Sequence, residues 1–358
     1  MRIFVFESLS AGPLASDSVG DDPAALAGES LAREGWTMLR ALAVDLAAID
    51  GMNVVSIVAD PLRRDSTTKR WQIERASTPV DRTERFDHCA AAADATILIA
   101  PEIDGQLARL ARRVADVGGK LLGPSIESVE LASDKHRTAT LLGSRDTPVP
   151  RGTLLEPGPL DRAALAEFPF PAVAKPLDGA GSFGVQLVRS ADELAASPRP
   201  RRLEAFVPGV AASVAALCGP SERRILPPCT QRLSTDGRFS YLGGTAPLPP
   251  QLAERAKSLA AHVLAALPGL AGYIGIDLVL GERADGSADA MIEVNPRLTT
   301  SYVGLRRLAE SNLAAALVQI ALGRAADELR FRPGRVEFDC RGAAKYFELP
   351  ESDFVERT

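Results

Sequence analysis

The chain has 358 residues, 46% of them apolar, and a formal net charge of −5. That supports a sizeable core and two or three domains, and it lacks the basic surplus that marks a nucleic-acid-binding protein. No uninterrupted apolar run is long enough to span a bilayer. Cys89, Cys218, Cys229 and Cys340 are scattered without disulfide or zinc spacing, and His88, His136 and His262 form no ligand pair. Any metal is therefore expected to be a hard ion held by oxygens. The opening MRIFVFESLSAG reads as a strand and a turn rather than a cleavable signal, so the expected location is cytoplasmic.

RIFVF (2–6) predicts a strand that stops at SLSAGP. An Ala/Leu-rich segment over 23–49 predicts a helix ended by Gly51. NVVSIVAD (53–60), ATILIAPE (95–102) and KLLGPS (120–125) predict further strands, with the helical run GQLARLARRVADV after the second. Strands alternating with helices imply an open, mostly parallel sheet, read as one domain over 1–125. Residues 125–142 predict a helix carrying SDK, and the Pro/Gly-rich TPVPRGTLLEPG marks a connector.

Beyond it, PFPAVAKPLDGAGSFGVQLV reads as strand, glycine loop, strand, and RRLEAFVPG as a strand ending in a turn. CTQRLSTDGRFSYLGGTAPL is a hairpin about Asp236–Gly237, followed by a helix over 250–267. YIGIDLVL and MIEVNPR close the motif-bearing part, and RVEFDCRGAAKYFEL predicts strand near the C-terminus. The expected division is 1–125, 126–207, 208–325 and a 326–358 extension of unassigned role.

In MIEVNPR, strand alternation puts Glu293, Asn295 and Arg297 on one side and Ile292 and Val294 on the other. Folding YIGIDLVL antiparallel onto it about Asp285–Gly286 brings Asp277 opposite Glu293. Two carboxylates and an amide on one face suit Mg²⁺, which also takes phosphate oxygens and water; the alternative is an ordinary solvated acidic face. In KPLDGAGSFGV, Lys175 ends a strand, and Gly179, Gly181 and Gly184 let backbone N–H groups approach an anion, with Ser182 between them. This pattern is not a P-loop, which needs Gly-Lys-Ser/Thr opening a helix. Lys135 follows Ser133 and Asp134, and Glu204 could accept from an adenine amino group beside the backbone of Ala205 and Val207.

Taken in order, SDK (133–135), KPLDGAGSFGV (175–185), LEAFVPG (203–209), GIDLVL (275–280) and IEVNPR (292–297) resemble the ATP-grasp superfamily over about residues 1–325. The resemblance implies an α/β and α+β fold: a Rossmann-like pre-ATP-grasp domain and two lobes that clamp ATP. It implies Lys135 and Lys175 on the phosphates, residues 179–184 over them, and a hinge from Glu204 through Ala205 to Val207. Asp277, Glu293 and Asn295 would hold Mg²⁺, with Mn²⁺ as the alternative, and Arg297, with Lys175, would serve the acyl-phosphate chemistry. One departure is that Ala211, Ala212 and Ser213 stand where many members carry an acid for the ribose.

The implied activity is ATP-dependent ligation of a carboxylate to an amine. FESLSAG, QRLSTDGRFSYLGGTAPL and EVNPRLTTSYVGL most resemble the branch joining the γ-carboxylate of L-glutamate to tyramine or a tyrosine-like amine in methanofuran- or methylofuran-type biosynthesis. Arg232, Arg297, Thr299, Thr300 and Ser301 would surround the acid. The rivals are an amino-acid ligase of the D-alanine–D-alanine type, an ATP-grasp kinase with a stable phosphorylated product, and a non-catalytic nucleotide-binding protein. Expected partners are small molecules, with neither nucleic acid nor membrane, and a homodimer is compatible with the chain.

Overall fold

The computed structural model describes residues 1–15, 23–59 and 69–348, with the side chains of 23–29 left aside. Its N-terminal part holds β1 (Arg2–Glu7), α1 (Ser8–Ala11), α2 (Pro23–Ala47), β2 (Asn53–Ala59), β3 (Trp71–Ala76), α3 (Pro79–Ala92), β4 (Ala95–Ile99) and α4 (Gln106–Asp116). The strands make a parallel sheet in the order β3-β2-β1-β4. Each face of such a sheet needs a cover, and β1 shows why. Ile3 and Val5 join Leu39, Leu42 and Leu46 of α2 on one side. Phe4 and Phe6 point to the other, where both meet the Phe86 ring of α3 edge-on at 5.5 and 4.8 Å.

Two expectations are corrected here, and one strand was missed. KLLGPS is no strand: Leu121 makes a single bridge to Thr96. Trp71–Ala76 is a strand that went unread, because the alternation of WQIE lasts only four residues before Arg75 breaks it; its Trp71 is 1% exposed under α2. The helix expected over 125–142 is two, α5 (Ile126–Ser133) and α6 (Lys135–Gly143). The break is at Asp134, whose side chain accepts from the N–H groups of His136 and Arg137 and so caps a new helix. Asp60, the expected end of the second strand, lies outside the described residues.

A small antiparallel sheet follows, β5 (Gly152–Leu155), β6 (Ala172–Pro176), β7 (Gln186–Val188) and β8 (Arg201–Ala205), in the order β5-β8-β6-β7. It has its own small core around Leu155, Leu165, Val188 and Leu203.

The largest sheet, of eight strands, contains β9 (Val210–Cys218), β10 (Arg223–Ile225), β11 (Cys229–Leu233), β12 (Tyr241–Ala246), β13 (Gly272–Leu280), β14 (Ala290–Asn295), β15 (Arg335–Asp339) and β16 (Ala344–Phe347). One face packs on α7 (Pro250–Ala266). α8 (Ser301–Leu308) and α9 (Leu313–Ala321) share a cluster with α2, so the first and last sheets rest on one continuous core. The C-terminal segment of unassigned role forms the β15–β16 hairpin at the edge beyond β12. Phe338 enters this core so closely that a Cβ on Gly304 would stand 2.2 Å from its ring.

Candidate active site

The sheet register sets the site. Asp277 of β13 pairs directly with Glu293 of β14 in the antiparallel ladder, and Gly275 pairs with Asn295. Directly paired residues project from the same face, so the two carboxylates point together into a cavity of about 530 Å³ between the small and large sheets. Burial, and then the neighbouring Glu293 charge, push the Asp277 carboxyl up to about 6. Gln231 and Asn295 donate to its two oxygens at 2.8 and 3.1 Å, and Ser213 adds a third bond. Lys135 pairs with Glu293 at 2.9 Å and donates to the Gly179 carbonyl at 3.1 Å. Burial alone would lower its ammonium, but the Glu293 charge and hydrogen bond, with the Glu102 and Asp178 charges, together raise it.

Asp277, Glu293, Asn295, Lys135, Lys175, Gly179, Gly181, Ser182, Glu204, Ala205, Val207, Arg297, Thr299, Thr300 and Ser301 all line this cavity. Two expected residues do not. Gly184 faces a second cavity across the glycine loop. Arg232 is exposed and donates to the Leu242 carbonyl at 3.1 Å; strand alternation turns it away from the wall that Gln231 and Leu233 line.

The glycine loop is held in a conformation few side chains tolerate. Gly179, Gly181, Ser182 and Gly184 all have positive φ, and Ser182 Oγ ties the loop to the hairpin by donating to the Phe239 carbonyl at 2.7 Å. At the hinge, Lys175 pairs with Glu204 Oε1 at 2.5 Å and donates to the Ile292 carbonyl at 3.1 Å. Arg202 takes the other Glu204 oxygen at 2.9 Å. The Ala205 N–H is already donated to the Arg151 carbonyl. Phe206 and Phe239 stack across this end of the cavity with centroids 6.1 Å apart.

Several residues of the site were not singled out in the sequence. Arg202, Gln231 and Phe206 sit one or two positions from residues that were. Glu102 is the more instructive omission. It follows β4 and grips Arg297 in a two-pronged pair, at 2.9 and 3.0 Å. Glu7, ending β1, accepts from the Leu9 and Ser10 N–H groups at 3.1 and 2.7 Å, and burial pushes its carboxyl up to about 7. Glu34 of α2 accepts a short hydrogen bond from the Thr300 hydroxyl. A signal existed: acids at the carboxyl ends of apolar parallel strands lie where open α/β sheets bind ligands.

The donor set fits a hard divalent ion. Two carboxylates and an amide supply oxygens, and the Asp277–Glu293 like-charge pair is the kind of cost a cation removes. Among the described residues no three His, Cys, Asp or Glu side chains cluster as a metal site, so water or phosphate oxygens would complete the shell. Cys229 also lines the cavity, but burial pushes its thiol up to about 12, which leaves it protonated and a poor nucleophile. Among the described residues no helix is long and apolar enough to cross a membrane.

Comparison with known proteins agrees with this architecture. A pre-ATP-grasp domain model matches residues 54–129 and an ATP-grasp domain model residues 132–301. The tyramine–L-glutamate ligase of Methanocaldococcus fervens is 25% identical over 320 residues, covering 87% of this chain and 94% of its own. The carbamoyl phosphate synthase large chain of Deinococcus radiodurans is 26% identical over 238 residues, which cover 62% of this chain but 22% of that one. Among solved structures, an Archaeoglobus fulgidus protein assigned to the ATP-grasp superfamily superposes with a TM-score of 0.67 at 20% identity, covering 95% of this chain and 92% of that one. An L-amino acid ligase from Bacillus licheniformis superposes with a TM-score of 0.66 at 15% identity, covering 94% and 78%. Two consecutive domain models and a cavity between two antiparallel sheets lead to one conclusion: the chain belongs to the ATP-grasp superfamily, with a pre-ATP-grasp domain ahead of its ATP-grasp domain.

Proposed function

We propose that this protein joins the γ-carboxylate of L-glutamate to tyramine or a similar aromatic amine, with ATP converted to ADP and phosphate through an acyl phosphate. The observation that carries the ligase reading is the Asp277–Glu293 pair facing one cavity with Lys135, Lys175 and Arg297. The choice of substrates rests on the likeness to the Methanocaldococcus fervens enzyme, whose name states them. Methanofuran- or methylofuran-type cofactor synthesis is the corresponding setting.

In this reading Asp277, Glu293 and Asn295 hold Mg²⁺, which when bound supplies charge neutralisation at the phosphates. Lys135 and Lys175 bind the β- and γ-phosphates as point charges. To do so Lys175 leaves Glu204 Oε1, and that oxygen then accepts from the adenine amino group. The Phe206–Phe239 end takes the base. The 179–184 loop covers the phosphates and keeps water from the acyl phosphate. Ser213 already bonds Asp277, so the ribose is held elsewhere in the cavity. Arg297, held by Glu102, stabilises the charge that develops as the carboxylate attacks the γ-phosphorus. Thr299, Thr300 and Ser301 orient the acid.

The test is mass spectrometry of the products from L-glutamate, ATP, Mg²⁺ and a panel of aromatic amines. A γ-glutamyl amide formed with one phosphate per amide is expected. A stable phosphorylated product would make the protein a kinase, and an amide with a different amino acid would move it to another ligase branch.

A further inference from the structure

Glu34 has no task in that chemistry, yet it reaches the cavity from α2 of the N-terminal part. It also lines the second cavity, of about 820 Å³, which Ser30 and Leu31 of α2, the glycine loop and the 236–240 turn enclose. The two cavities share Glu34, Tyr241, Val185 and the tip of the glycine loop, Ala180 to Phe183. Glu34 therefore stands where they join. Its backbone is closely held there: a Cβ on the next residue, Gly35, would come within 2.4 Å of the Glu7 carboxylate.

The other acids of the main cavity are engaged. Glu293 pairs with Lys135, and Glu204 with Lys175 and Arg202. Asp277 accepts from Gln231 and Asn295, and Asp178 from the Asp104 N–H at 2.6 Å. Glu34 has one hydrogen-bond partner among the described residues, the Thr300 hydroxyl. The Arg297 guanidinium is near enough to act on its charge, but that group is bonded to Glu102. A half-buried carboxylate with one direct, neutral donor can still take a cation. Close to it the walls carry Tyr241, Leu31 and the 56%-exposed Phe183, which offer apolar and aromatic surface to the body of such a ligand, while Arg189, Glu193, Asp236 and Arg238 supply charges of both signs to the rest of the second cavity.

We infer that Glu34 anchors the ammonium group of the amine substrate, which enters through the second cavity while ATP occupies the first. This rests on the ligase reading above. A primary amine at neutral pH is a cation, and its separate entrance lets it reach the acyl phosphate without displacing the nucleotide; there the ammonium passes a proton to the Glu34 carboxylate, and the free amine attacks the acyl carbon as the C–O bond to phosphate breaks and phosphate leaves. Thr300, three residues after Arg297, links the amine end of the site to the acid end.

The test compares two nucleophiles in the wild-type protein and in Glu34→Gln. One is the best primary amine of a panel led by tyramine. The other is hydroxylamine, uncharged at neutral pH and small enough to trap an acyl phosphate without an anchor. Both are run with ATP, Mg²⁺ and L-glutamate, or whichever amino acid of a panel gives hydroxamate. Loss of one charged hydrogen bond predicts that the ratio of amide to hydroxamate falls by about tenfold to a hundredfold, through a raised KM for the amine. Glu34→Asp, which keeps the charge, should recover part of that ratio even if Glu34→Gln proves unstable. Equal loss of both products in each variant, or a raised KM for the amino acid in place of the amine, overturns the assignment; the latter would put the acid's own α-ammonium on Glu34. Wild-type protein that yields no hydroxamate from any amino acid would instead remove the ligase reading itself.

Discussion

Asp277 and Glu293 are two like charges on adjacent strands, and the Asp277 carboxyl is raised first by burial and then by the Glu293 charge. Removing an oxygen ligand from a magnesium site should cost turnover heavily while the ladder stays intact. Glu293→Ala and Asn295→Ala are expected to lower phosphate release by at least about 100-fold, with a lower thermal midpoint for Glu293→Ala, which leaves the buried Lys135 without its closest acid; near-normal turnover would take both residues out of the metal site. Arg297→Ala is expected to reduce kcat by about 100-fold or more while ATP affinity changes little, since the guanidinium serves charge developing on the transferred group. Equilibrium ATP binding set against kcat decides this, and a loss confined to ATP binding would contradict the role. Glu7 supplies the pH prediction. Its folded pKa, about 7 against an ordinary 4.5, means the native state binds the extra proton between those values. Stability from this group is therefore full below the unfolded pKa and is lost as pH rises through the folded one. Thermal midpoints of Glu7→Gln should fall less than wild type between these two limits, and parallel pH curves would refute the assignment.

At the scale of elements, what was legible was periodic and what was missed was not. In β13 and β14 single polar residues interrupt apolar runs, so their antiparallel pairing and the Asp277–Glu293 match could be read from spacing, although the register shift after Asp277 could not. The hairpin about Asp236–Gly237 followed from its turn residues, and Gly237 has the expected positive φ. WQIERA gave only a short signal, since on the edge strand β3 the alternation of Trp71 to Glu74 stops at Arg75. The glycine loop is the element on which the next prediction falls. At Gly184 φ is +73°, and an added Cβ would stand 2.9 Å from Pro176 at the end of β6. Gly184→Ala should therefore strain the loop and raise KM for ATP more than it lowers thermal stability. Steady-state kinetics with ATP varied would show it, and an unchanged KM would mean the loop does not close over phosphates.

For the whole molecule, the decisive fact is that one core runs through two sheets. β1 and α2 of the first part and α8, α9 and Phe338 of the last bury their side chains in a single cluster, whereas the small sheet has its own. Hydrogen exchange should then report two levels of protection: slow and common to β1, β2, β9 and β13, faster in β5 to β8. ATP with Mg²⁺ should slow exchange in residues 179–184 and 204–207 most, because a ligand that binds between sheets restrains the less anchored one. Uniform protection before and after nucleotide would deny that the small sheet moves.

The sequence by itself determined the local chemistry: which strands alternate, where glycines permit positive φ, and which oxygens face one side of a ribbon. These follow from periods of two and from turn stereochemistry, which act over a few residues. It also carried the family resemblance, through motifs set in order along the chain. Only the tertiary structure brought Glu7, Glu34 and Glu102 to the Arg297 end of the site, turned Arg232 out, and divided Glu204 between Lys175 and Arg202. Those contacts join residues up to 266 positions apart, and no local period encodes a meeting that depends on how two sheets pack on a shared core.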